Sequence, residues 1–426
     1  VTLLEALQLD ALVVDRHGCK LLTPAILAAA PDRVIIDGAE TIAPVRNSQT
    51  IIALKDIDLP PLEEPVAVAE TDLAYILFTS GTTGMPKGVM ISAGALKSYL
   101  EQSKSWTQLT PEDRLAETCD ITFDLTVHNL FLCAEAGASL HVLSALEMLA
   151  PSRFIRQRGI TVWMSVPTLA AMMRKSGALK PDILPTLRSS IFCGEPLSAS
   201  LAAAWAEAAP NSVVDNIYGP TEGTVICLRQ RVAHPFRVTT GRDIIAIGTP
   251  YETMTVAIFD EQQQPVADGV AGEIALSGPQ LADGYFHYSP ENRSDRFREI
   301  DGQRWYLTGD LGSRDADGVF HHLGRTDNQV KLKGNRIELE EVEAHLRQAA
   351  ASDMVAVVAW PVVDGSAQGL VAFCTSALPD DVITAALHKS LPRYMVPETV
   401  HIRDTLPVNI NGKIDRRQLT EQLQIQ

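Results

Sequence analysis

One run of residues restricts what this chain can fold into more than any other. Tyr75-Ile76-Leu77-Phe78, an apolar segment of strand type, passes straight into Thr79-Ser80-Gly81-Thr82-Thr83-Gly84-Met85-Pro86-Lys87-Gly88. Six successive residues are Gly, Ser or Thr, so the loop offers many backbone N–H groups and four hydroxyls with little side-chain bulk. Such a loop suits wrapping phosphate oxygens, and Lys87 can add a point charge. It is not the GxxxxGK[ST] phosphate loop, because Pro86 precedes Lys87. Taken alone, the run is equally well read as a surface turn.

The chain around it has 426 residues, 46% hydrophobic and 21% charged, which are the proportions of a globular protein. That length predicts at least two domains. No run of 18 apolar residues occurs, so no transmembrane helix is expected. Val1-Thr2-Leu3-Leu4-Glu5 lacks the basic and apolar regions of a signal peptide, and a cytoplasmic location is expected. With 36 Lys and Arg against 52 Asp and Glu, the net charge is −16, which argues against nucleic acid or an anionic membrane as partner. Cys19, Cys119, Cys133, Cys193, Cys227 and Cys374 form no CxxC pair and read as reduced, mostly buried thiols.

Hydropathy patterning divides the chain by rhythm. Strand-type runs (Ala11 to Val14, Val34 to Ile36, Tyr75 to Phe78, Leu140 to Leu143, Thr161 to Ser165) alternate with helical ones such as Thr23 to Ala30 and Leu201 to Ala208. That alternation predicts an α/β region of parallel sheets covered by helices, placed at 1–228. Between 229 and 326, short strands separated by Asp/Gly turns predict an antiparallel β subdomain. The remainder, 327–426, reads as a small α+β domain, with helices at Leu339 to Ala349 and Asp381 to Leu391.

Further segments carry possible chemistry. Asn216-Ile217-Tyr218-Gly219-Pro220-Thr221-Glu222 joins an aromatic that could stack on a base to a carboxylate that could hold magnesium; alone it is an ordinary turn. Thr308-Gly309-Asp310 ends a strand with an acid suited to ribose hydroxyls, or to capping a turn. Asn411-Gly412-Lys413 exposes one Lys near the C-terminus, or is a plain hairpin turn.

Together these pieces resemble the adenylate-forming enzymes: acyl- and aryl-CoA synthetases, luciferases and peptide-synthetase adenylation domains. The resemblance runs in family order from Leu73 to Arg416, about four-fifths of the chain. It includes Gly272-Glu273-Ile274 through Gly284-Tyr285, Gly324-Arg325-Thr326-Asp327, Gly334-Asn335-Arg336-Ile337-Glu338 and Leu391-Pro392-Arg393-Tyr394-Met395. The glycine loop arrives early for this family, so the large N-terminal region is expected to be incomplete here. The resemblance implies that a carboxylate attacks the α-phosphate of ATP, releases pyrophosphate, and passes to a thiol. It implies that Thr79, Ser80, Gly81, Thr82, Thr83 and Lys87 hold the phosphates, with Thr83 and Glu222 counted among the catalytic groups and Glu222 as the magnesium ligand. Gly194, Glu195, Pro196, Asn216, Ile217 and Tyr218 would frame adenine, Gly219 and Thr221 would also belong to the nucleotide site, Asp310 would bind ribose, and Arg325 would reach ribose and phosphates. Lys413 would bridge the substrate carboxylate and the α-phosphate. Asp327 would be the hinge of a mobile C-terminal domain.

Substrate class turns on Phe123-Asp124-Leu125. Amino-acid-activating members resemble this segment, with an Asp that pairs with the substrate's α-ammonium; the alternative is a helix N-cap. By the same resemblance the side-chain pocket falls on Leu125, His128, Met164, Ile191, Cys193, Ile217, Val225 and Ile226. That set holds no Asp, Glu, Lys or Arg, so a small uncharged amino acid is expected. The leading expectation is an amino acid adenylating ligase that loads the phosphopantetheine thiol of a peptidyl carrier protein. A CoA ligase for a carboxylic acid and a nucleotide-binding protein without thioester formation remain alternatives.

Overall fold

A computed structural model describes residues 2–7, 9–37, 42–57, 64, 66–79, 87–286, 296–326, 329–352, 354–363, 366–407 and 414–424. The chain forms two compact units, Val1–Val68 and Ala69–Gln426. In the first, strands Ala11–Val14, Arg33–Ile36 and Thr50–Ala53 lie side by side in parallel. Thr23 caps the intervening helix Pro24–Ala29 by accepting from the Ile26 N–H, with Pro24 at the first helical position.

The second unit is built on a seven-stranded sheet. Five parallel strands run Val213–Tyr218, Ser189–Phe192, Val162–Ser165, Arg114–Glu117 and Ser139–Val142, and the antiparallel Leu228–Val232 and Thr249–Pro250 complete one edge. Val162–Ser165 and Ser189–Phe192 are buried along their whole length, as expected of strands covered on both faces. One face is covered by Pro151–Arg158, Pro167–Lys175 and Ala199–Ala208, packed around Trp163, Trp205 and Phe192. The other face meets two more sheets. One is antiparallel and built on Thr255–Phe259, Gly272–Ser277, Phe297–Ile300, Gln303–Arg314 and Phe320–Arg325. The second joins Leu73–Thr79, Lys87–Ser92 and Gly284–Phe286.

The Tyr75 strand therefore belongs to an antiparallel ribbon, not to the parallel sheet that its sequence neighbours suggested. The element after the glycine loop is a strand, Lys87–Ser92, so any phosphate binding there would rest on backbone N–H groups and Lys87 without a helix N-terminus. Where the three sheets meet, one apolar cluster takes residues from each, among them Ile91, Met164, Ile191, Ile217, Ile274 and Tyr306. Two further clusters draw only on residues 330–423, around the helices Leu339–Ala350 and Asp380–Ser390 and the strands Val355–Ala359, Leu370–Cys374 and Thr399–Ile402. Among the described residues no helix is long and apolar enough to cross a membrane.

Candidate active site

A cavity of about 220 Å³ opens at the C-terminal ends of the parallel strands, where ligands of α/β sheets collect. Gly194, Glu195, Pro196, Asn216, Ile217, Tyr218, Gly219, Asp310 and Arg325 all line it. Nine positions drawn from four separate stretches of sequence thus share one wall. Thr79 and Lys87 face each other across the base of the glycine loop. Ser80, Gly81, Thr82 and Thr83 lie outside the described residues, as do Asp327 and Lys413.

Cross-strand register explains the polar centre of the cavity. Asp310 stands directly opposite Arg325 on the neighbouring strand, and the guanidinium donates to its Oδ1 at 2.6 Å. Tyr218 donates its hydroxyl to Oδ2 at 2.5 Å, and His322 Nε2 is 3.4 Å from Oδ1. Burial alone would raise the Asp310 carboxyl, but His322, Arg325 and Lys331 outweigh it and hold it well below the ordinary carboxylate range. Asp310 is thus a fixed anion, able to accept from hydroxyls at any pH an enzyme meets. Asn216 donates to the Ala246 carbonyl at 2.9 Å. Glu195 lines the wall, yet its carboxylate accepts from the N–H groups of Thr168 at 3.0 Å and Gly334 at 2.8 Å.

The turn after Tyr218 is tightly constrained. A Cβ on Gly219 would strike the Val225 carbonyl oxygen. Thr224 and Val225 both adopt positive φ, 58° and 66°, which is strained for β-branched residues. Gln280 holds that shape by donating to the carbonyls of Ile226 at 2.8 Å and Gly223 at 3.3 Å, while Thr224 donates its hydroxyl to the Gln280 carbonyl. The turn delivers Glu222 into the interior, where Tyr285 donates to Oε1 at 2.7 Å. Arg336 donates to both carboxylate oxygens, at 3.1 and 2.9 Å. Lys87 lies 5.6 Å from the Tyr285 ring centre, and burial lowers its pKa.

Asp124 occupies the N-cap position of the helix Leu125–Ala136, but its side chain makes no capping hydrogen bond. The plain capping role is therefore absent. Burial pushes the Asp124 carboxyl up to about 6, against a hydrogen bond from Thr221 and the nearby charge of Lys331. Leu125, Met164, Ile191, Cys193, Ile217, Val225 and Ile226 gather in one buried apolar cluster. His128 joins them through Tyr99, whose hydroxyl is 2.6 Å from Nδ1, and burial takes the imidazole down to about 3. A neutral His128 supplies no charge for a charged substrate side chain. Burial raises the Cys193 thiol to about 12, so it remains protonated.

Four residues of the site escaped sequence reasoning. His322 and Arg242 line the cavity, and nothing in their local pattern marks them. Lys331 also lines it, and Arg336 holds Glu222. Arg336 lies in a segment that carries the family resemblance and Lys331 just after one, and their charge was the available signal.

Among the described residues no three His, Cys, Asp or Glu side chains converge on a metal-sized site. A single buried carboxylate, Glu222, fits a magnesium ion that brings most of its oxygen ligands with a nucleotide. Arg336 now stands in that cationic position. The acidic, cationic and aromatic groups around Asp310 offer the acceptors, donors and ring face that suit a nucleotide.

The family described as AMP-binding enzyme matches residues 2–286. The D-alanine–D-alanyl carrier protein ligase of Lacticaseibacillus rhamnosus is 34% identical over 411 residues, covering 93% of this chain and 79% of that protein. Phosphinothricin tripeptide synthetase PhsC of Streptomyces viridochromogenes is 35% identical over 378 residues, covering 85% of this chain; the chain spans only 33% of that protein. Among solved structures, the Vibrio cholerae adenylation domain AlmE in complex with glycyl-adenosine-5'-phosphate superposes with a TM-score of 0.87 at 34% identity, over 100% of this chain and 81% of that one.

Proposed function

The chain belongs to the AMP-binding enzyme family, as an adenylate-forming ligase, and we propose that it activates a small uncharged amino acid as its aminoacyl-AMP, releasing pyrophosphate, and then transfers it to the phosphopantetheine thiol of a carrier protein. The observation that carries this reading is Asp124, a crowded carboxylate that does not cap its own helix and stands beside a buried apolar cluster. A desolvated carboxylate there costs free energy unless a cation meets it, and the α-ammonium of an amino acid is such a cation. The seven apolar positions and a neutral His128 leave a charged side chain without a partner. The D-alanine ligase and the glycyl-adenylate complex of AlmE favour alanine and glycine as first substrates to try.

In this reading Tyr218 and Asn216 flank adenine, while Asp310 accepts from ribose hydroxyls and Arg325 fixes Asp310. Thr79 to Thr83 and Lys87 receive the phosphates, with Thr83 and Glu222 close to the transferring group. Magnesium held at Glu222 would neutralise charge on the phosphates. Lys413 bridges the substrate carboxylate and the α-phosphate, and region 327–426 turns about Asp327 between the two half-reactions. Pyrophosphate exchange with a panel of amino acids and their des-amino acids tests this function. Exchange highest with glycine, alanine or proline supports it. Highest exchange with arginine, glutamate or tryptophan refutes the pocket assignment, and equal exchange with des-amino acids favours a CoA ligase.

A further inference from the structure

The strand Leu73–Thr79 brings one polar group to the substrate positions that no role described so far uses. Tyr75 pairs in register with Ile91 and packs on the cluster that contains Leu125, Met164, Ile191, Cys193, Ile217, Val225 and Ile226. Its hydroxyl is sealed from solvent and has no hydrogen-bond partner among the described residues. Buried polar groups are almost always partnered, because an orphan loses its hydration and gains nothing in return. Asp124 is the charge that acts on this hydroxyl, and Tyr99 responds to both Tyr75 and Asp124. Tyr75, Asp124 and Tyr99 are thus close enough to act on one another electrostatically, near the start of the helix Leu125–Ala136. Tyr99 is committed to His128. Tyr75 has no such partner among the described residues, and Asp124 does not cap the helix.

A phenol oxygen without a partner and a carboxylate beside an apolar cluster are complementary to one kind of ligand head: a cation with several N–H donors on a small apolar body. We propose that Tyr75 is a positioning residue that, together with Asp124, receives the α-ammonium of the substrate. The ammonium donates to the phenol oxygen and to the carboxylate, and the phenol O–H is left to turn toward Asp124. The missing partner of Tyr75 is then the substrate itself. Tyr75 lies four residues before Thr79, so the same short strand that leads into the phosphate loop also seats the amino group.

This inference rests on the amino acid reading above, and one experiment separates the two. Tyr75→Phe deletes a single oxygen and keeps the ring. Pyrophosphate exchange is measured for wild type and variant with the best amino acid of the panel, with its des-amino acid, and over a range of ATP. The expected result is a rise of about ten-fold or more in KM for the amino acid, the loss expected for one hydrogen bond to a charged group. kcat, KM for ATP and exchange with the des-amino acid should stay unchanged. The melting temperature of the free variant should equal or exceed that of wild type, because the orphaned hydroxyl is gone, while its rise on adding the amino acid should shrink. An unchanged amino acid KM overturns the inference alone. A parallel loss with both acids together with a lower melting temperature also overturns it, since that is the signature of packing. Wild-type enzyme that exchanges no better with the amino acid than with the des-amino acid overturns the amino acid reading and this inference with it.

Discussion

In the proposed function, two single side chains, Asp124 and Ile217, set the chemistry of the amino acid pocket. With its carboxyl raised to about 6, Asp124 is protonated below that pH and ionised above it. Only the ionised form attracts an ammonium, so kcat/KM for the amino acid should climb as pH rises through 6 and then level. The des-amino acid should lack that limb, and Asp124→Asn should abolish it; a pH profile of pyrophosphate exchange reads all three. A limb shared by both substrates would place the titration elsewhere. Ile217 is buried in the strand that ends at Tyr218. Ile217→Ala should cost about 2–5 kcal/mol of stability by leaving a cavity. In exchange, larger apolar amino acids should gain roughly ten-fold or more relative to alanine. Comparing kcat/KM for alanine and leucine in both proteins checks it, and an unchanged ratio would remove Ile217 from the pocket floor.

At the level of elements, the site depends on contacts between segments far apart in the chain. The strand Asn335–Glu338 carries Arg336 to Glu222, and the preceding turn carries the Gly334 N–H to Glu195. Gly334 has φ 84° and a Cβ there would sit 2.8 Å from Val166, so the turn can approach only as glycine. The Glu222 carboxylate is almost wholly buried, with 1% of its side chain exposed. Removing one partner of a buried ion pair costs about 3–5 kcal/mol, far more than removing both. Arg336→Ala should therefore lower the melting temperature in magnesium-free buffer, and the double variant Arg336→Ala/Glu222→Gln should recover most of the loss. A double-mutant cycle measures that coupling. Strictly additive losses would show that the pair contributes nothing to holding the two segments together.

For the whole molecule, two half-reactions in one site need a part that can be exchanged, and Lys413 belongs to that part in the proposed function. Lys413→Ala should keep the fold yet lose adenylate formation by orders of magnitude. Supplying preformed aminoacyl-adenylate should restore carrier loading, as followed by mass spectrometry of the carrier. Failure of that rescue would assign Lys413 to both steps. The α/β alternation, the shift to antiparallel strands after Arg229 and the ordered motifs were legible in the sequence, because strand and helix periodicities and turn residues are local properties. So were Asp310, Tyr218, Gly194 and their neighbours as one site, since the motif order carries them. Pairing and burial were not legible. The Tyr75 strand reads like its parallel neighbours until its antiparallel partner Lys87–Ser92 is seen. Asp124 reads equally as a helix cap until its side chain is found to make no capping hydrogen bond. Glu222 reads as a metal ligand, and only tertiary packing brings Arg336 to it across 114 residues of sequence. The sequence, through the motifs that carry the family resemblance, pointed to many of the residues that line the cavity but not to His322 or Arg242. Tertiary structure decided which of them are desolvated and which charge each one meets, because electrostatic and hydrogen-bond energies depend on distance through space and on exclusion of water, not on separation along the chain.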